Sequence, residues 1–288
     1  AAVEAMRVAF NVLPISGTVV IGEGERDEAP MLFIGEEVGQ GGLAIDIALD
    51  PLEGTTLTAK AMSNALAVMA MAEPGTLLNA PDTYMDKIAI GPGFKEGLIN
   101  LDAPPGDNIN ALAKAKGVSP RDLKICIMDR PRHEALIAQV RAAGAAVQLI
   151  TDGDIAGIIA TTDPSTGIDM YIGRGGAPEG VLAAAALRCI GGHMQGRLVF
   201  RNDDERGRAH RAGIADLNRK YGLTDLARGD VMFAATGVTD GTMLRGVKRF
   251  PGAATTQLLV MRSKTRTVRL IEASHDFTRN GDMASFAR

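Results

Sequence analysis

Residues 124–150 read KICIMDRPRHEALIAQVRAAGAAVQLI. The apolar run Ile125 to Met128 reads as a strand, His133 to Ala143 has a helical pattern, and Ala146 to Ile150 is a second β-rich run. The alternation continues through a helix over Ile155 to Thr161 and a strand over Ile168 to Ile172. Strand, helix, strand in succession predicts βαβ units within an α/β layer.

Working outward, a helix is predicted over Glu179 to Leu187, and the runs Gln257 to Met261 and Thr267 to Ile271 resemble a hairpin. Upstream, Thr18 to Ile21, Leu43 to Leu49 and Ala65 to Met71 read as strands, the last ending near the turn pair Pro74-Gly75. Helices are expected over Ala29 to Val38 and Thr55 to Met62. The stretch from Phe94 to Ser119, with Pro104-Pro105-Gly106, reads as loop, and the domain boundary is placed there, giving lobes 1–118 and 119–288. The chain opens on a helical pattern, Ala1 to Phe10, with no Ser, Thr, Asp or Asn to cap it, which suggests that an N-terminal stretch precedes Ala1.

A chain of 288 residues, 46% apolar and 23% charged, has ample material for a core. With 31 basic against 34 acidic residues there is no cationic excess to attract nucleic acid or an anionic membrane. No run approaches the ~20 apolar residues of a membrane span and no secretory leader is recognisable, so the reading is a cytoplasmic protein. Cys126 and Cys189 sit in apolar and alanine-rich surroundings suited to buried thiols.

The chemistry concentrates where strands stop. Asp50 ends an apolar run, Pro51 should force the chain out of the ladder, and Glu53 follows, with Gly54 permitting a sharp turn. Thr55 and Thr56 then open a helical segment whose free amides favour an anion. Carboxylates to hold a hard cation beside amides to hold phosphate suit metal-assisted phosphoryl transfer. Glu23 and Glu25 repeat the strand-end acidic pattern.

These motifs carry a resemblance. Gly22 to Leu32 (GEGERDEAPML) and Asp50-Pro51-Leu52-Glu53-Gly54-Thr55 are similar to the class II fructose-1,6-bisphosphatases, as are Asn79 to Lys87, Asp152-Gly153-Asp154 and Gly175 to Gly180. The related inositol monophosphatases carry Asp where Glu53 stands and require a Trp-Asp pair, and this chain has no Trp.

The resemblance implies a sugar phosphatase fold, α/β with alternating helix and sheet layers in two lobes and the active site between them. It implies Glu23, Asp50, Glu53 and Glu179 as ligands of Mg²⁺ or Mn²⁺, and Thr55, with Glu23, as catalytic. The Thr55 hydroxyl either attacks phosphorus or orients the attacking water. Substrate contacts fall on Glu53, Gly54, Thr55, Tyr84, Arg130, Pro131, Arg132, Asp152, Gly153, Asp154 and Gly176. The two arginines suit bidentate grip of the distal phosphate, and the aspartates suit sugar hydroxyls. The scattered His133, His193, His210 and His275 lack zinc-ligand spacing. The family has a further metal-binding Asp and a nearby Lys ahead of the first helix, and Ala1 falls just after that place. The implied reaction is hydrolysis of the 1-phosphate of fructose 1,6-bisphosphate by a homo-oligomer, dimer or tetramer. Sedoheptulose 1,7-bisphosphate as a further substrate, or a catalytically weak phosphosugar-binding protein, are the alternatives.

Overall fold

The computed structural model describes residues 2–23 and 31–278. Two sheets carry the architecture. The first has the order β12-β13-β11-β4-β3-β1-β2 with β14 paired to β13. It comprises β1 (Ile15–Ile21), β2 (Glu37–Val38), β3 (Leu43–Glu53), β4 (Leu66–Ala72), β11 (Val231–Gly237), β12 (Lys248–Phe250), β13 (Ala253–Arg262) and β14 (Thr267–Asp276). The second has the order β10-β9-β5-β8-β6-β7, from β5 (Tyr84–Ile90), β6 (Lys124–Met128), β7 (Ala146–Ile150), β8 (Met170–Gly176), β9 (His193–Val199) and β10 (Lys220–Gly222). Neither sheet is drawn from one half of the chain.

The helices are α1 (Ala2–Phe10), α2 (Thr55–Ala59), α3 (Pro105–Lys116), α4 (Glu134–Ala142), α5 (Asp154–Ile159), α6 (Ala177–Ile190), α7 (Asp203–Arg211) and α8 (Leu223–Leu226). The alanine-rich α6 is buried along nearly its whole length and packs against strands of both sheets. Small side chains let the sheets approach it closely, and the largest hydrophobic cluster forms around it. Helices α3 and α4 cover the far face of the second sheet, and α1 covers part of the far face of the first. The layers therefore alternate helix, sheet, helix, sheet, helix, as expected of an α/β sugar phosphatase.

The βαβ reading is borne out: β6 runs parallel to both β7 and β8. So is the hairpin of β13 and β14, paired from Ala253↔Asp276 to Arg262↔Thr267. Cys126 and Cys189 are buried free thiols, and burial pushes them up to about 12 and about 11.

Four local expectations are corrected. Within the stretch expected to be helical over Ala29 to Val38, the described residues form a bridge and the strand β2. There Leu32 O and Glu36 O accept from Glu23 N and Val19 N, so tertiary hydrogen bonds override helical propensity. Helix α2 stops at Ala59, short of Met62. The supposed loop before Ser119 contains α3, which begins on Pro105, where a missing N–H is harmless, and ends at the left-handed Gly117. Its Ile109, Leu112 and Ala113 bury one face in helical spacing. Finally, Pro51 does not end the strand, because β3 continues to Glu53 through a bulge.

Candidate active site

That bulge positions the first two carboxylates. Asp50 pairs with Val68 and Glu53 with Leu66, so three steps along β3 oppose two along β4. The extra residue cancels the usual alternation and turns Asp50 and Glu53 toward the same side. Asp50 Oδ1 accepts from Leu52 N at 2.9 Å, which holds the carboxylate against its own turn. Gly54 follows at φ 85°, a left-handed conformation open to glycine, and launches α2 at Thr55. Five residues build little dipole, so the attraction for an anion at Thr55 rests on the local amide groups.

Glu179 arrives from the first turn of α6, after the extended Gly175-Gly176 end of β8. A Cβ on Gly176 would lie 1.9 Å from Glu179 Oε2, and one on Gly175 would lie 2.0 Å from Asp154 Oδ2. A side chain at either position would therefore have to displace a carboxylate, that of Glu179 at the start of α6 or that of Asp154 at the start of α5. Asp50, Glu53 and Glu179 each present one oxygen, and these oxygens lie within 4.8 Å of one another. Glu23, at the end of β1, and Thr55 line the same cavity, of about 550 Å³.

Glu53 is also tied to the second sheet's side of the site, accepting from Ile155 N at 3.2 Å. Helix α5 starts from Gly153, φ 82°, in a turn like that at Gly54. Asp154 is buried, and its Oδ2 accepts from Lys87 Nζ at 2.5 Å and from the Tyr171 hydroxyl at 3.4 Å. Asp152 is more open and faces Arg130, with Oδ1 3.8 Å from Nη2.

A second cavity of about 250 Å³ adjoins the first and shares Glu53, Asp82, Asp152 and Glu179 with it. Tyr84, Arg130, Arg132 and Gly176 also line it. Pro131 opens a short 3₁₀ turn that carries Arg132 outward, and Arg132 donates through Nε and Nη2 to Arg174 O. Gly153 lines neither cavity and instead shapes the turn between Asp152 and Asp154. Glu25 lies outside the described residues.

Burial raises the Asp50 carboxyl above its ordinary value. Burial, then the repulsion of Asp154, Asp50 and Glu179, holds Glu53 well above the usual range. Glu179 is pushed up to about 7, chiefly by burial and then by Asp154. Crowded, buried, oxygen-only donors are a poor arrangement for bare anions and a good one for a hard divalent cation. The histidines do not join them: His133, for example, is buried with Nδ1 against Met128 O and Nε2 accepting from Arg174 N.

Two features went unread in the sequence: the partnering of Asp154 by Lys87, and Arg201, whose guanidinium lies 5.0 Å from the Tyr84 ring centroid. No local motif marks either.

A family model described as "Bacterial fructose-1,6-bisphosphatase, glpX-encoded" matches residues 1–275. The chain is 47% identical over 290 residues to "Fructose-1,6-bisphosphatase 1 class 2" of Escherichia coli (strain K12), covering 96% of this chain and 86% of that protein. It is 46% identical over 300 residues to "D-fructose 1,6-bisphosphatase class 2/sedoheptulose 1,7-bisphosphatase" of Synechococcus sp. (strain JA-3-3Ab), covering 95% and 86%. With this fold and a carboxylate cluster suited to a divalent cation, the chain belongs to the bacterial class 2 fructose-1,6-bisphosphatase family.

Proposed function

We propose that this chain hydrolyses the 1-phosphate ester of fructose 1,6-bisphosphate, releasing fructose 6-phosphate and inorganic phosphate. The observation that carries the reading is the convergence of Asp50, Glu53 and Glu179 in one cavity that adjoins a second, arginine-lined one. One cavity suits the reacting phosphate and the other the phosphate that stays. Asp50, Glu53 and Glu179, with Glu23, would hold Mg²⁺ or Mn²⁺. When bound, such a cation stabilises charge on phosphoryl oxygens and acidifies water. Thr55 supplies the hydroxyl that attacks phosphorus or orients the attacking water; the P–O bond to the sugar breaks and the sugar oxygen takes up a proton. Arg130 and Arg132 hold the distal phosphate, Tyr84 borders it, and Asp152 accepts from sugar hydroxyls. The name of the Synechococcus relative supports sedoheptulose 1,7-bisphosphate as a further substrate. The protein works in the cytoplasm as a homo-oligomer, dimer or tetramer.

Phosphorus NMR of the reaction tests this reading. The 1-phosphate resonance should disappear while the 6-phosphate persists, and Thr55→Ala should lower kcat by about 100-fold or more. Thr55→Ser, which keeps the oxygen, should retain substantial activity. Loss of the 6-phosphate first, or a Thr55→Ala variant as fast as wild type, would overturn it.

A further inference from the structure

Tyr84 sits on β5 between β8 and β9, opposite Gly176 on one side and Val199 on the other. An arginine approaches its ring from each direction. Arg132, held on the β8 side through Arg174 O, places its guanidinium carbon 4.8 Å from the ring centroid. Arg201, just past the end of β9, places its own at 5.0 Å.

Arg201 is anchored with unusual care for a surface residue. Its Nε donates to Glu205 Oε1 at 2.6 Å, its Nη2 pairs with the same oxygen, and its backbone N donates to Glu205 Oε2 at 2.7 Å. Glu205 is only 1% exposed, and Thr83, the neighbour of Tyr84, donates its hydroxyl to Oε2 at 3.1 Å. A buried carboxylate is therefore committed to fixing one guanidinium beside Tyr84. Both arginines are held by the Nε edge, and among the described residues no hydrogen bond uses Nη1 of either. That leaves the outer edge of each, the edge whose paired N–H groups match two oxygens of a phosphate, without a protein partner at Nη1 among those residues; Arg132 lines the second cavity, and Arg201 sits beside Tyr84, which lines it too. Arg174 is held by the same edge, its Nε and Nη2 taken bidentately by Asp86 at 2.7 and 3.0 Å, so what sets Arg132 and Arg201 apart is their position over the Tyr84 ring.

We propose that Arg201 is a third arginine of the distal-phosphate subsite, closing with Arg132 across Tyr84 on the phosphate that is not hydrolysed. Glu205 is its positioning residue: it offsets part of the charge but fixes the direction of the guanidinium fork. The subsite thereby selects sugar bisphosphates over monoesters, because the distal dianion meets fixed donors from both flanks. The identity of the ligand rests on the phosphatase reading above.

The test compares the wild-type full chain with Arg201→Gln. Fructose 6-phosphate binding, measured by calorimetry, should weaken about tenfold or more. The KM for fructose 1,6-bisphosphate should rise by a similar factor with a much smaller change in kcat. The ratio of kcat/KM for the bisphosphate to that for fructose 1-phosphate, which lacks the distal group, should fall about tenfold. Arg201→Lys keeps a cation for Glu205 and guards against a folding failure; it should lose part of the same selectivity. Wild-type fructose 6-phosphate affinity in both variants would overturn the assignment, as would equal losses on bisphosphate and monoester, which would mean that Arg201 only holds the loop. Failure of the wild type to bind fructose 6-phosphate would overturn it too. Failure of the phosphatase reading would appear separately, as no hydrolysis by the wild type, while the binding comparison still decides the role of Arg201.

Discussion

Lys87 Nζ lies 2.5 Å from Asp154 Oδ2, and the pair is almost completely withdrawn from water, at 0% and 4% exposure. The two residues are not energetically equivalent. Asp154 pushes its charge against Glu53 and Glu179, whereas Lys87 relieves Glu179. Removing the lysine leaves buried carboxylates facing one another; removing the Asp154 charge leaves the lysine Glu179 to balance. Lys87→Met should therefore destabilise the protein by about 3–5 kcal/mol, and Asp154→Asn by distinctly less. Urea denaturation of both variants checks the order. Equal losses, or the reverse order, would mean that the pair does not neutralise the cluster.

Gly176→Ala is a test of the folded-back Glu179. The backbone at Gly176, φ −64° and ψ 144°, accepts alanine, so the damage should come from the methyl that collides with the carboxylate. The metal concentration needed for half-maximal activity should rise about tenfold or more, with little change in thermal unfolding. An unchanged metal titration would remove Glu179 from the ligand set.

The pH dependence of the metal-free protein follows from the same crowding. Glu179 is raised from 4.5 to about 7, so between those values the folded protein keeps a proton that the unfolded chain has released. The stability this contributes is complete below the lower value and is lost as pH rises through the upper one. Melting temperatures in the presence of chelator should fall between about pH 4.5 and about pH 7 and level off above, and Glu179→Gln should flatten that fall. Metal binding opposes the trend, because it requires the ionised carboxylates and releases their protons. A metal-free protein that becomes more stable across this range, with Glu179→Gln showing the same slope, would contradict the burial argument.

The helix and strand alternation from Lys124 to Ile172 was legible because each element carries its own apolar period. So were Asp50 and Glu53, since Pro51 and Gly54 announce a break beside them; only the form of the break, a bulge inside β3, needed the partner strand. Strand β5 was not legible. Its Asp86 and Lys87 interrupt any apolar pattern, and Lys87 can be buried only because Asp154 comes to meet it from another part of the chain. Arg201 was hidden for the same reason: Glu205 is only four residues away, but Tyr84 and Thr83 become its neighbours only after β5 and β9 pair. Glu179 was marked as a ligand through the family resemblance, since its place beside Asp50 depends on α6 packing between the sheets.

The most direct measurement is phosphate release from fructose 1,6-bisphosphate by the full chain, with Mg²⁺ or Mn²⁺, then with excess chelator, then with the cation restored. The account predicts turnover, its loss, and its return. It further predicts that Asp50→Asn loses most activity at any cation concentration while keeping a cooperative thermal transition. Undiminished phosphate release in chelator, or full activity in Asp50→Asn, would contradict the metal-dependent site built from Asp50, Glu53 and Glu179.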